Sequence, residues 1–162
     1  MHFSVWHYLG LTTKTELGTT PTIRWDNYLS LFLECFTGQI ERSVFATHGV
    51  GDKPKTSPVI HVDPWDLPYN MQLWNTNSPS KWIVNVDLDY FFCDQDGVRK
   101  PMFSNEYVDA VFSAIRRSND EGRVACVTLC LTPDDSYTGG WAQAEALCER
   151  ACDRLGIHFK LP

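Results

Sequence analysis

The sequence predicts an α/β domain in which a mainly parallel sheet is sandwiched between helices in three layers, and three observations carry that reading. Two apolar runs, at 81–90 (KWIVNVDLDY) and 123–132 (RVACVTLCLT), have the length and β-branched content of buried strands. Each is followed by apolar residues at helical spacing: Val108, Val111, Phe112 and Ile115 after the first, and Trp141, Ala144, Cys148, Ala151 and Leu155 after the second. Strand, helix, strand, helix in that order builds βαβ units, whose strands run parallel and whose helices cover the sheet.

The opening residues 1–22, rich in Thr and Gly, give no firm element and read as an irregular lead-in. From Arg24 onward Trp25, Tyr28, Leu29, Phe32 and Phe36 fall on one helical face, with Thr22 as a plausible N-cap and Gly38 as the stop. The β-branched runs SVFAT (43–47) and PVIHV (58–62) read as strands, joined by the loop GVGDKPKTSP. Residues 63–79 hold three prolines and predict a long connection with about one helical turn. The strand at 81–90 is apolar at Ile83, Val84 and Val86, the pattern of a strand covered on both faces, and Asn85 interrupts it. Ser104 caps the next helix, with Glu106 and Asp109 near its positive end and Arg116 and Arg117 near its negative one. Gly156 ends the last helix.

At 162 residues and 43% hydrophobic, the chain predicts a single domain with one core. Its formal charge of −6, with no long basic run, argues against nucleic acid as a partner and favours a small or cationic ligand. No stretch approaches ~20 apolar residues and no signal-peptide pattern opens the chain, so the expectation is a cytoplasmic protein without a membrane partner. The six cysteines form no CxxC pair, which predicts reduced, mostly buried thiols.

Ligands of parallel sheets gather at the carboxyl ends of the strands. Asp87 and Asp89 end the first strand, and Asp134 and Asp135 follow the second. In an extended backbone, residues two apart point the same way, so Asp87 and Asp89 can converge on one cation. Two adjacent carboxylates repel unless a cation neutralises them, and Mn²⁺ or, less well, Mg²⁺ suits oxygen donors. The aromatics Tyr90, Phe91 and Phe92 predict a closed site around the pair. A second feature is Thr138-Gly139-Gly140-Trp141 with Glu145 five residues after the second glycine: paired glycines either let a backbone approach a ligand or make a tight strand-to-helix turn. Glu145, expected beside Trp141 and Cys148 on a buried flank, would call for a cationic partner.

Taken together, an apolar strand ending in DLDYF, a helix, a second apolar strand and a TGGW turn followed by a glutamate resemble the UPF0489 group, peptide-arginase relatives within the arginase-like (ureohydrolase) superfamily. The resemblance spans roughly residues 22–156 and covers only the C-terminal part of such a domain. It implies that Asp87 and Asp89 supply ligands to a Mn²⁺ site, and that Glu145, behind Gly139 and Gly140, pairs with a substrate guanidinium, either free or in a peptide. The superfamily's upstream His and DxHxD ligands have no counterpart before Asp87; His61, in HVDPWD, and His48, in THGVGD, are the nearest candidates.

Three functions follow. One is a metal-dependent hydrolase of guanidinium C–N bonds, its site completed by His61, His48 or a second subunit. Another is the same fold without catalysis, a binding or assembly module that forms a homo-oligomer through its unpaired sheet edge. A third is a haloacid-dehalogenase-type phosphatase, which also ends a strand in DxD, with Asp134-Asp135 as its second acidic pair; Phe91 and the lack of an obvious lysine at a strand-to-helix junction between the two acidic sites oppose it. The missing ligands predict weak or absent hydrolase activity.

Overall fold

A computed structural model describes residues 12–15, 18–21, 28–36, 38–48, 59–74 and 79–159. The chain is α/β, with strands and helices interleaved along its length. It divides into two compact units, Met1–Phe45 with Val50–Ile60, and Ala46–Gly49 with His61–Pro162.

In the first unit the supposed lead-in holds a pair of strands, β1 (Thr12–Thr15) and β2 (Gly18–Pro21), antiparallel with Thr12 opposite Pro21 and Thr15 opposite Gly18. Helix α1 is described over Tyr28–Cys35, and Thr22 and Trp25 lie outside the described residues. Among its described side chains Leu33 is buried, while Phe32 and the following Phe36, expected inside, meet at a tilt of 44° with ring centroids 4.9 Å apart and stay partly exposed. β3 (Ser43–Ala46) and β4 (Val59–Val62) occur where the β-branched runs place them and neighbour each other in a two-stranded sheet. The loop between them lies outside the described residues.

The second unit carries the βαβ element that the sequence predicts. β5 (Trp82–Asp87) and β8 (Val124–Cys130) pair in parallel, from Ile83 opposite Cys126 to Asp87 opposite Cys130. Between them runs α3 (Asn105–Asp120), and α4 (Trp141–Leu155) follows β8. Ser104 caps α3 as expected, its Oγ accepting from the Tyr107 amide at 3.3 Å. Val108, Val111, Phe112 and Ile115 are all buried, as the helical period requires. From α4, Ala144, Cys148, Ala151 and Cys152 join the core, and Gly156 ends the helix in the left-handed conformation that glycine tolerates. Trp141, expected in that face, is 61% exposed.

A two-pronged ion pair ties α3 to α4. Arg150 donates through Nε to Asp109 Oδ1 at 2.7 Å and through Nη2 to Oδ2 at 2.9 Å, and Arg154 reaches Oδ2 at 2.5 Å. Partial burial pushes the Asp109 carboxyl up, but the two guanidinium groups outweigh it and hold the acid below its ordinary range.

Three findings revise the predicted sheet. The described strands form two-stranded sheets, of which β5–β8 is parallel and β1–β2 and β6–β7 are antiparallel. β5 stops at Asp87, where a 3₁₀ turn over Leu88–Phe91 swings the chain so that Leu88, Phe91 and then Phe92 enter the core. A hairpin follows, β6 (Phe92–Gln95) and β7 (Val98–Pro101), turned at Asp96-Gly97 with φ of 56° and 77°. Residues 64–74 hold a 3₁₀ turn (Pro64–Asp66) and a full helix α2 (Leu67–Trp74), where about one turn was expected.

The parallel pair also has one open face. Ile83, Asn85 and Asp87 on β5 are exposed beside Cys126, Thr128 and Cys130 on β8, whereas Val84, Val86, Val127 and Leu129 on the other face are partly covered. Asn85 is explained by that face: its Oδ1 accepts from Thr128 Oγ1 at 2.6 Å, directly across the register. The thiols follow suit, since only Cys148 and Cys152 are buried and Cys35, Cys126 and Cys130 are exposed. Among the described residues no helix is long and apolar enough to cross a membrane.

Candidate functional site

The carboxyl end of β5 and β8 is where the predicted acidic residues meet. Asp87 is the last residue of the strand and Asp89 lies inside the 3₁₀ turn, so strand alternation does not bring them together. The turn does so instead. Burial pushes the half-buried Asp89 carboxyl up to about 6, and the charge of Asp87 and a hydrogen bond with it push the same way. Arg99 and His48 act in the opposite direction, which places two positive or protonatable groups around the pair.

Each neighbour reaches the pair from a different element. Thr132, just past β8, donates from Oγ1 to Asp87 Oδ1 at 2.7 Å. Since its one hydroxyl proton goes to that carboxylate, the Cys130 thiol, 3.3 Å away, must donate to Thr132 in turn. Thr132 also carries a φ of 46°, which costs a non-glycine residue free energy and is held by the Thr138 hydroxyl bonding its carbonyl at 2.9 Å. His48 sits beyond β3, with Nε2 donating to the Tyr90 carbonyl at 2.6 Å and its ring stacked on Tyr90 at 4.8 Å. That bond fixes the proton on Nε2 and leaves Nδ1 with the lone pair in the neutral ring. Arg99 comes from β7, its Nε donating to the Ser136 carbonyl at 2.5 Å.

A column of rings stands beside the pair. Tyr90 stacks on Phe103 at 5.6 Å, Phe103 on Tyr107 at 4.2 Å, and the Tyr107 hydroxyl donates to the Pro64 carbonyl. Burial raises both the Tyr90 and Tyr107 phenols, so each stays neutral across the physiological range. The rings do not close the site as the sequence suggested: Phe91 and Phe92 turn into the core, and Asp87 remains exposed.

The other predicted residues lie on α4, on the turn before it and on β4. Gly139 and Gly140 have φ of 75° and 98°, and Gly140 caps α4. A Cβ on Gly140 would lie 2.7 Å from Asp135 Oδ1, so the tight strand-to-helix turn accounts for both glycines. Glu145 is half-buried on α4, near enough to Cys148 for its charge to help raise that thiol to about 11, after burial and Cys152. Asp134 accepts from the Ser136 amide at 2.7 Å, a bond that holds its carboxyl below the ordinary range. His61 is exposed on β4. Among the described residues no three His, Cys, Asp or Glu side chains are grouped to hold a metal ion.

The sequence reading missed Thr132 and Arg99 altogether. Neither carries a local motif: Thr132 reaches the acidic pair through the pairing of β5 with β8, far apart in the chain, and Arg99 through the hairpin β6–β7, which the sequence reading did not anticipate. No family model, curated protein or solved structure matches the chain.

Proposed function

We propose that the carboxyl edge of β5 and β8 is a cation site of an arginase-like, metal-dependent hydrolase of guanidinium C–N bonds, built here as the C-terminal portion of a three-layer domain. The observation that carries the reading is the Asp87–Asp89 contact, two carboxylates close enough to hold one proton between them. Such a pair gains from a divalent cation, and oxygen donors suit Mn²⁺ or Mg²⁺. Asp87 and Asp89 would hold one side of that ion. His48 would add a nitrogen, because its Nε2–H is already spent on a carbonyl, the arrangement that orients a ligating imidazole; His61 is the other candidate.

The bound ion would supply Lewis acidity. The chain's own residues set the rest: Thr132 orients Asp87, and Arg99 offsets the negative charge. Glu145, with Gly139 and Gly140 ahead of it, is the proposed partner of the substrate guanidinium, whether a small molecule or an arginyl peptide. With two carboxylates and one histidine as the nearest donors, full activity needs ligands from elsewhere. Metal analysis of purified protein, followed by urea release from arginyl peptides with added Mn²⁺, tests the reading. Metal retained by wild type and lost in Asp87→Ala supports it; identical metal content in the two sinks it.

A second reading is favoured by the open face of β5–β8. Ile83 exposed beside Cys126 and Thr128 is what a sheet expecting further cover looks like, and a homo-oligomer would provide it. Sedimentation at micromolar concentration decides: a chain that remains a monomer removes this reading. The phosphatase reading is weaker, because the Asp134 carboxylate is spent on its own turn and Asp135 packs against Gly140.

A further inference from the structure

We propose that Trp65, Asp66 and Tyr69 form a docking surface for a positively charged peptide segment. The two aromatics lie four residues apart across the 3₁₀ turn and the first turn of α2, and they are 74% and 65% exposed. Leu67 and Val62 bury the inner side of the same segment, so Trp65 and Tyr69 are not needed to seal the core. Large aromatics left in water one helical turn apart mark binding surfaces more often than plain solvated faces.

Charge selects the occupant. Asp63 and Asp66 are exposed on this segment, and no Lys or Arg occurs between Thr56 and Ser80. Ring faces of Trp and Tyr attract ammonium and guanidinium groups, and adjacent carboxylates add to that attraction. An anionic partner, nucleic acid or acidic lipid included, meets charge of its own sign and is repelled.

The surface is also held in place before any ligand arrives. The Trp65 ring meets Phe103 edge-on at 6.1 Å, Phe103 stacks on Tyr107, and the Tyr107 hydroxyl bonds the Pro64 carbonyl beside Trp65. A fixed aromatic loses little freedom on binding. Through Phe103 the same stack reaches Tyr90, the residue after Asp89. A peptide lying along Trp65 and Tyr69 would therefore have a cationic side chain within the neighbourhood of the acidic pair. The inference names the substrate class of the proposed site, and rests on that reading only for the fate of the cationic group.

Fluorescence anisotropy of a labelled Arg/Gly hexapeptide against the full chain tests it, with an Asp/Gly hexapeptide as control. The Arg/Gly peptide should bind more weakly as salt rises, and about tenfold more weakly to Trp65→Ala, with most of the affinity kept by Trp65→Phe. Asp66→Asn should weaken binding a fewfold, and circular dichroism should show each variant folded, since neither side chain is in the core. Equal affinity of wild type and Trp65→Ala, or equal binding of the acidic peptide, overturns the proposal even if urea is released. Binding that depends on Trp65 without urea release supports the surface and counts against the hydrolase reading alone.

Discussion

Truncating Phe112 to alanine should lower the unfolding free energy by about 3–5 kcal/mol, read as a shift in the urea midpoint. Phe112 is fully buried and is the largest of the described side chains that are. It sits mid-way along α3 with its ring 5.8 Å from Phe91, so its removal leaves a cavity where the helix meets the 3₁₀ turn after β5. Domains of this size are stable by roughly 5–15 kcal/mol, and the loss would take a large part of that. Phe112→Leu refills much of the space and should cost markedly less. A shift below about 1 kcal/mol for the alanine variant would mean that this face of α3 is not in the core.

The second large effect concerns the acidic pair and its proton. The folded chain holds a proton on Asp89 up to about pH 6, whereas an unfolded carboxyl loses it near 3.8. Between those values the folded state binds more protons, so stability falls as pH rises across the window. For a half-exposed carboxylate the loss is on the order of 1 kcal/mol after solvent screening. Asp89→Asn should flatten the profile, and an unchanged slope would rule out Asp89 as its source. The opposite sign belongs to Asp109, whose lowered pKa contributes stability that is present above its unfolded pKa and is lost as pH falls through the folded one.

A divalent ion must displace the proton on Asp89. Apparent Mn²⁺ affinity should therefore drop about tenfold per pH unit below about 6 and level off above it. At a hundredfold excess over Kd the ion should stabilise the fold by about 2.7 kcal/mol at neutral pH, and far less near pH 4. Thermal melts with and without Mn²⁺, in wild type and Asp87→Asn, read this directly. A melting temperature that ignores Mn²⁺ at neutral pH would remove the cation site.

How much of this was visible in the sequence depended on whether the signal was local. α3 and α4 were legible because period, cap and stop agree: Ser104 and four buried positions for one, Gly156 for the other. The hairpin β6–β7 was equally local, and its Asp96-Gly97 turn was a readable sign masked by charged neighbours. The end of β5 was not readable in this way. An apolar run cannot say whether Leu88 and Phe91 continue a strand or enter the core from a 3₁₀ turn. The convergence of Asp87 and Asp89 was anticipated on a strand and is produced by that turn. Arg99 joins them through that same local hairpin, whereas Thr132 and His48 do so through a strand pairing and a ring stack that no short window contains.

The register of β5 against β8 has a consequence for how the chain reaches this state. Ile83 meets Cys126 only after the hairpin and α3 between them have been gathered in, whereas both of those can form from neighbouring residues alone. Closing a long loop costs entropy before any pairing repays it, so the parallel pair forms late and the helix early. Because Asp87 and Thr132 meet across that same seam, while the local 3₁₀ turn brings Asp89 to Asp87, the hydroxyl that orients Asp87 should be among the last contacts to form and among the first to be lost when the seam opens.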